Sequence, residues 1–314
     1  MASKITIIGA GSVGATIAYT LANKDIASEI VMIDINRDKA EGEVLDIIQG
    51  TYFRDPIDLI AGDYEDAKDS DIVIITSGLA RKPGQTRLEL AQTNVNILKS
   101  IAPNIVAVAP NAKYIIVSNP VDVMTYVFHK ISGIPESQII GSGTALDSAR
   151  LRCGLSEHFD VAQKNVHAYV FGEHGDSSFI PWSCATISVV PVDDYAKASG
   201  REGKIDELDK DEMLTYVQKS GGQIIANKGA TFYAVAASVC QLCSMINSAS
   251  NSLTTFSMMM HGEYGIDDVC LSVLGLIGPN GCEGKVLVNL TDEEVALLKK
   301  SADALKAVIA QINI

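Results

Sequence analysis

Basic residues are in deficit. The 314-residue chain carries 25 lysines and arginines against 38 aspartates and glutamates, a formal net charge of −13. A protein that held nucleic acid or an anionic membrane through its general charge would need a basic face, so partners of that kind are excluded. Long apolar runs are missing as well, and nothing approaches the ~20 residues of a membrane-spanning helix. Residues 1–9 pass from one lysine straight into a short apolar run, without the cleavage pattern of a secretory leader. Cysteine is scarce. Cys153, Cys184, Cys240, Cys243, Cys270 and Cys282 are scattered through mostly apolar text and form no disulfide framework. Cys240 and Cys243 have the C-x-x-C spacing of redox and zinc sites. No second pair accompanies them, and they fall within a long helical pattern, so two buried thiols are expected and no metal. A reduced, cytoplasmic compartment follows. There is no internal repeat and no low-complexity linker.

What is present is a chain with 47% hydrophobic and 20% charged residues, the balance of a soluble globular protein. At roughly 150 residues per domain the length predicts about two domains. The first half alternates strand and helix. Residues 5–8 are an apolar run that stops at glycine, and residues 13–23 have helical spacing, with Ile17, Ala18 and Leu21 apolar. Residues 29–33 read as a second strand ending at Asp34, and residues 38–49 as a helix with Val44, Leu45 and Ile48 on one face. Residues 72–76 and 114–118 are further buried strands, separated by an apolar helix over 88–107. Strands of nearly continuous apolar character between helices predict an α/β fold with a doubly wound parallel sheet.

From about Gly143 the pattern loosens. A helix is predicted over 145–155, strands over 165–171 and 185–190, and long helices over 209–226 and 230–247. Antiparallel strands are predicted over 254–261, 269–277 and 281–288. Thr291 and Glu294 have capping-box spacing ahead of a final helix through Gln311. The organisation expected is residues 1–142 as a nucleotide-binding domain and 143–314 as an α+β catalytic domain, joined over a broad interface.

Gly9, Gly11 and Gly14 form G-x-G-x-x-G between the first strand and its helix. The first two allow a tight turn and close approach to a pyrophosphate, and the third lets the helix pack on the sheet. Alone the pattern is weak. Here Asp34 lies 20 residues beyond Gly14, at the end of the second strand. A carboxylate there accepts from both ribose hydroxyls and repels a 2′-phosphate, which predicts a Rossmann-type domain that takes NAD rather than NADP.

Among the five histidines, His129 and His158 lie in helical text and read as structural or solvated, and His261 beside Gly262 has no evident partner. His174 differs. Gly172 and Gly175 flank it just after an apolar strand, where a side chain can stand free in a cleft. Asp147 and Arg150 stand at i, i+3 on one helix and can face the same cleft. An aspartate bonded to imidazole selects its tautomer and stabilises its protonated form. An arginine fork binds a carboxylate bidentately. Asn119 follows the strand from Tyr114 and so lies at the carboxyl edge of the sheet, where ligands of such folds bind. Residues 78–87, with Gly78, Arg81, Gly84 and Arg87, make a glycine-punctuated basic loop suited to a closing lid.

The glycine turn, the 118–122 segment Ser-Asn-Pro-Val-Asp, the Asp147/Arg150 pair and the Gly172–Gly175 turn occur together and in order. With these motifs the chain resembles the L-lactate/malate dehydrogenase family from end to end. The resemblance implies that His174 protonates the carbonyl oxygen of pyruvate as hydride arrives, that Asp147 holds His174, and that Arg87 polarises the carbonyl. It implies that Arg150 clamps the substrate carboxylate, with Asn119 and Thr231 lining the pocket. It also implies that Val13, Lys39, Tyr64, Gly78, Leu79, Ser100, Val117, Ser118, Asn119 and Ser142 help Gly9, Gly11, Gly14 and Asp34 hold NAD.

Within that family, the position three residues after Gly78 discriminates substrates, and here it is Arg81. An arginine facing a methyl group would be poorly satisfied, whereas facing the second carboxylate of oxaloacetate it would be paired, which favours malate. The 141–144 segment Gly-Ser-Gly-Thr, Thr231 and the 87–94 segment instead resemble the lactate branch, and pyruvate/L-lactate is the pair expected, with malate as the alternative. Arg152 and His167 match an allosteric site for fructose 1,6-bisphosphate at a two-fold interface, where two copies would set two arginines and two histidines against two phosphates. A homotetramer is the family expectation.

Overall fold

A computed structural model of the chain describes residues 3–79 and 87–314, the side chain of Arg87 excepted. Strands β1 (Lys4–Ile8), β2 (Glu29–Ile33) and β3 (Asp58–Ala61) run parallel with β4 (Ile72–Ile75), β5 (Lys113–Ile116) and β6 (Ile139–Gly141), in the order β3-β2-β1-β4-β5-β6. Ile5 pairs with Ile30 on one side and Ile72 on the other, so β1 is central and its apolar run is covered on both faces. Helices α1 (Ser12–Asn23), α2 (Arg37–Gln49), α3 (Arg87–Val108) and α4 (Val121–Ser132) cover those faces. The strand order reverses between β1 and β4, which opens a crevice at their carboxyl ends.

The sheet continues into the second half. After α5 (Ala145–Phe159) come the short strands β7 (Val166–His167), β8 (Thr186–Ile187) and β9 (Val190–Pro191), then α6 (Tyr195–Ala198), α7 (Lys210–Lys228) and α8 (Tyr233–Ile246). β10 (Ser252–His261), β11 (Asp267–Gly278) and β12 (Gly281–Lys285) then extend the parallel sheet antiparallel from β6, giving nine strands, and α9 (Asp292–Ile309) closes the chain. β6 and β10 meet at Gly141 and Ser257. A Cβ on Gly141 would lie 2.3 Å from Thr125 Oγ1 and 2.6 Å from Ser257 Cβ, so only glycine lets α4 and β10 approach this closely. One core cluster takes Ile7 and Ile74 from the first half together with Val239, Leu271 and Leu298 from the second. A smaller one, with Leu151, Val166, Ile187 and Val217, lies beneath β7–β9.

Several expectations are revised. On α2 the buried stripe is Ala40, Val44 and Ile47, at i, i+4, i+7, and Leu45 is 58% exposed. The expected strands over 165–171 and 185–190 shrink to β7, β8 and β9. Their apolar alternation arises because Val166, Ala168 and Val170 face the smaller core, without a long ladder to match. Elements β3 and β6 have no counterpart in the sequence reading, and α4 had only the helical text around His129. β3 is an edge strand with only Leu59 buried, and β6 has three residues. Helix α4 buries eight consecutive residues from Val121 to Phe128, the polar Asp122 and Thr125 among them. Cys240 and Cys243 are buried free thiols on α8, and burial pushes Cys240 up to about 12.

Candidate active site

The turn after β1 runs against the end of β4. Gly9 has φ +116°, and a Cβ there would sit 2.6 Å from Thr76 Oγ1; a Cβ on Gly14 would sit 1.8 Å from the Gly9 carbonyl oxygen. Gly11 is the opposite case, with open space around its missing side chain. Gly11 is also the N-cap of α1, which has no side-chain cap and no acidic residue in its first turn. Asn36, Asp209 and Thr291 cap α2, α7 and α9 with their side chains. An uncapped helix N-terminus above a glycine that leaves space is a cradle for a pyrophosphate. Asp34 stands beside it: Oδ2 accepts from Ala10 N at 2.6 Å and Oδ1 from Asn36 N at 2.8 Å. These groups fit NAD.

The rest of the expected NAD set is distributed over several elements of the first half. Val13 belongs to the first turn of α1, and Lys39 is exposed at the start of α2. Tyr64 is half-buried after β3, and burial raises its phenol pKa. Ser118 follows β5, donating to Ser77 O at 2.6 Å, and Ser142 follows β6, its N–H donating to Ile116 O. Val117 N donates to Ile75 O at 3.0 Å, tying β5 to β4 just before Asn119. Ser100 lies well along α3, exposed, its hydroxyl bonded back to Ile97 O at 2.7 Å.

Asn94 was not singled out from the sequence. Its Oδ1 accepts from Leu79 N at 2.8 Å and its Nδ2 donates to Asn119 O at 2.7 Å. It therefore ties the strand ends at Gly78–Leu79 and Asn119 together, beside the exposed Asn119 side chain. The signal for it was an amide inside the buried stripe of α3, with Ala91, Val95 and Leu98.

Asp147, on the first turn of α5, is 5% exposed and holds two partners. Oδ2 meets His174 Nδ1 at 2.5 Å, and Oδ1 accepts from Arg150 Nη1 at 2.8 Å. Burial works to raise the carboxyl, but the His174 and Arg150 charges win and hold it below the ordinary range. The Asp147 charge raises His174 to about 9, against desolvation. With Nδ1 donating to the carboxylate, Nε2 is the nitrogen left for a substrate, and it has no protein partner among the described residues. Arg150 lies against α7 at Gly221, where a Cβ would come within 3.4 Å of Nη2. Thr231 is half-buried in the turn between α7 and α8.

The His174 turn is fixed from below. Gly172 has φ +91°, and a Cβ there would meet Ser301 Oγ of α9 at 2.6 Å. Ser301 Oγ accepts from Glu173 N at 2.7 Å, and Asp122 Oδ2 of α4 accepts from His174 N at 2.8 Å. Ser301 and Asp122 had no role in the sequence reading. Of the other histidines, His129 is held down to about 4 by burial and His158 Nε2 meets Asp206 O at 3.1 Å. His261, expected without a partner, is paired with Glu136 at 2.8 Å, because β10 carries it alongside the turn before β6. Arg81 and the side chain of Arg87 lie outside the described residues.

On another face, Arg152 Nε donates to Ala168 O at 3.2 Å and its guanidinium lies 4.7 Å from the Tyr169 ring centroid. His167 is exposed on the same side of the extended segment as Tyr169, two residues along. Among the described residues, no helix is long and apolar enough to cross a membrane.

A glycine cradle that fits NAD, together with an aspartate-held histidine and a part-buried arginine, defines a nicotinamide-dependent dehydrogenase of hydroxy acids. Residues 3–141 match the family model described as lactate/malate dehydrogenase, NAD binding domain, and residues 144–313 match lactate/malate dehydrogenase, alpha/beta C-terminal domain. The chain belongs to the lactate/malate dehydrogenase family and is an NAD-dependent oxidoreductase. It is 46% identical to an L-lactate dehydrogenase of a Thermoanaerobacter species over 312 residues, covering 99% of this chain and all of that one. It is 46% identical to L-lactate dehydrogenase 1 of Clostridium acetobutylicum over 304 residues, 97% of this chain and 96% of that one. Among solved structures, the minor L-lactate dehydrogenase of Enterococcus mundtii superposes with a TM-score of 0.95 at 34% identity, covering 100% of this chain and 99% of that one.

Proposed function

We propose that this protein is an L-lactate dehydrogenase: pyruvate, NADH and a proton give L-lactate and NAD+, reversibly. The observation that carries this reading is His174, protonated by virtue of Asp147, with Nε2 free in the crevice and Arg150 bound to the same carboxylate. The full-length likeness to proteins named L-lactate dehydrogenase supports pyruvate over oxaloacetate.

NAD, when bound, supplies hydride transfer at its nicotinamide. Gly9, Gly11 and Gly14 seat its pyrophosphate and Asp34 its ribose, and Val13, Lys39, Tyr64, Gly78, Leu79, Ser100, Val117, Ser118, Asn119 and Ser142 complete the contacts. His174 Nε2 gives a proton to the carbonyl oxygen of pyruvate and takes it back in the reverse direction. Asp147 stabilises the imidazolium and holds the ring. Arg150 turns the unbonded part of its fork to the substrate carboxylate. Arg87 stabilises the developing oxyanion, and Asn119 and Thr231 line the pocket. Arg81 turns away from the methyl group of pyruvate.

Residues 1–142 form the NAD domain and 143–314 the catalytic domain. Arg152 and His167 bind fructose 1,6-bisphosphate across a two-fold axis, a reading supported by the packing of Arg152 on Tyr169, two residues from the exposed His167. The protein is a homotetramer of the cytoplasm. The exposed Tyr52 and Phe53 support self-association, as does Arg54, whose Nη atoms are shielded and without a partner among the described residues.

The deciding experiment is NADH oxidation with pyruvate and with oxaloacetate side by side, each with and without fructose 1,6-bisphosphate. A strong pyruvate preference is expected. A strong oxaloacetate preference would overturn the reading and make Arg81 the residue that selects substrate.

A further inference from the structure

We propose that Gly221 and Gly222, adjacent in the middle of α7, leave the substrate pocket open on that side, so that it admits 2-oxo acids with unbranched aliphatic side chains longer than the methyl group of pyruvate. The proposal rests on the pyruvate reading above and names the substrate class of the same site.

Glycine inside a helix is costly, because it loses the most backbone freedom and adds no side chain to pack. The pair lies well inside α7, a regular helix capped by Asp209. Neither glycine has a positive φ. Nor does crowding call for them: among the described residues, a Cβ on Gly221 would meet nothing nearer than Arg150 Nη2 at 3.4 Å, and one on Gly222 nothing within 4 Å. Gly154 on α5 is the contrasting case. A Cβ there would lie 2.6 Å from Met213 Sδ, so that glycine serves the close contact of α5 with α7. What the pair on α7 provides is room.

That room lies beside the chemical groups. Gln218, on the same face of α7 one turn earlier, donates from Nε2 to Ser178 O at 3.0 Å and to Asp176 O at 3.2 Å, in the segment just after His174. Gly221 lies against the guanidinium of Arg150, whose partner Asp147 holds His174. Helix α7 therefore stands next to both groups that grip the substrate, and Thr231 follows in the turn to α8. A 2-oxo acid is planar about its carbonyl carbon. With its carboxylate on Arg150 and its carbonyl oxygen at His174 Nε2, the third in-plane bond carries the side chain, and α7 is the neighbouring wall. One turn beyond the pair on this face is Ile225, apolar and 49% exposed. From Gln218 to Ile225 the face holds no charged residue, so it suits an aliphatic chain and offers no cation to a second carboxylate.

The test is kcat/KM with NADH for pyruvate and for 2-oxopentanoate, which is two methylenes longer. Wild type is expected to keep the longer acid within about tenfold of pyruvate. A larger deficit, towards the roughly 10²-fold of a pocket closed at the methyl group, overturns the proposal. Gly221→Ala combined with Gly222→Ala refills the wall with two methyl groups. Alanine suits a helix better than glycine, so the melting temperature should rise while the ratio of kcat/KM for 2-oxopentanoate to that for pyruvate falls about tenfold. Gly42→Ala, at an equally open glycine of α2, should also raise the melting temperature, with the ratio unmoved. That control separates filled space from a stiffer helix. An unmoved ratio in the double variant, or an equal fall in Gly42→Ala, overturns the proposal and leaves the pyruvate reading standing. Wild type that reduces neither acid overturns the pyruvate reading, and this proposal with it.

Discussion

At the scale of single residues, the contact between Asp147 and His174 carries the proposed chemistry. His174 is raised from 6.5 to about 9, so the stabilisation from its charged form is fully present below 6.5 and is lost as pH rises through about 9. Asp147 is lowered, and its contribution is present above the ordinary carboxylate range and lost as pH falls through its folded value. Pyruvate reduction needs the protonated imidazole, so kcat/KM should fall as pH rises past about 9. In Asp147→Asn the half-buried ring loses the charge that offsets its desolvation. The fall should begin at lower pH, and turnover near neutrality should drop by roughly 10²–10⁴-fold. Pyruvate pH–rate profiles and thermal unfolding of both proteins across the same range would check this. An unshifted profile would mean that Asp147 does not set the proton on His174.

At the scale of elements, the turn between β1 and α1 separates two uses of glycine. Gly14 has no room for a Cβ, which would overlap the Gly9 carbonyl, whereas Gly11 has room and lies where a pyrophosphate would. Gly14→Ala should therefore lower stability by about 1–3 kcal/mol. Gly11→Ala should leave the melting temperature nearly unchanged and weaken NADH binding, read by protein fluorescence. Equal loss of stability in both would show that Gly11 is also a folding requirement. The turn was legible in the sequence because its demands are local, and so was the cap of α9 by Thr291 and Glu294. Helix α4 was legible only as helical text around His129, because no side-chain cap marks its start after Pro120. β3 and β6 were not, because one is an exposed edge and the other only three residues long.

At the scale of the whole molecule, one sheet of nine strands joins the two halves of the chain. Its outer surface keeps two exposed aromatic side chains in contact, Tyr52 at 89% and Phe53 at 84% exposure. Tyr52→Glu with Phe53→Glu should shift the protein towards smaller species in sedimentation, the monomer fold being unaffected because these side chains already face solvent. An unchanged oligomer would place the interface elsewhere.

The sequence by itself determined the parallel α/β half and the glycine turn with Asp34, and brought His174, Asp147 and Arg150 forward as the candidate chemical residues. These depend on backbone demands and spacings within one turn or helix, which the order of residues carries directly. Only the tertiary structure decided that Asp122 and Ser301 lie beneath His174, that Asn94 joins Leu79 to Asn119, and that His261 meets Glu136. Each of these is a polar group whose partner is distant along the chain, and the energy of burying it depends on which strand or helix arrives beside it.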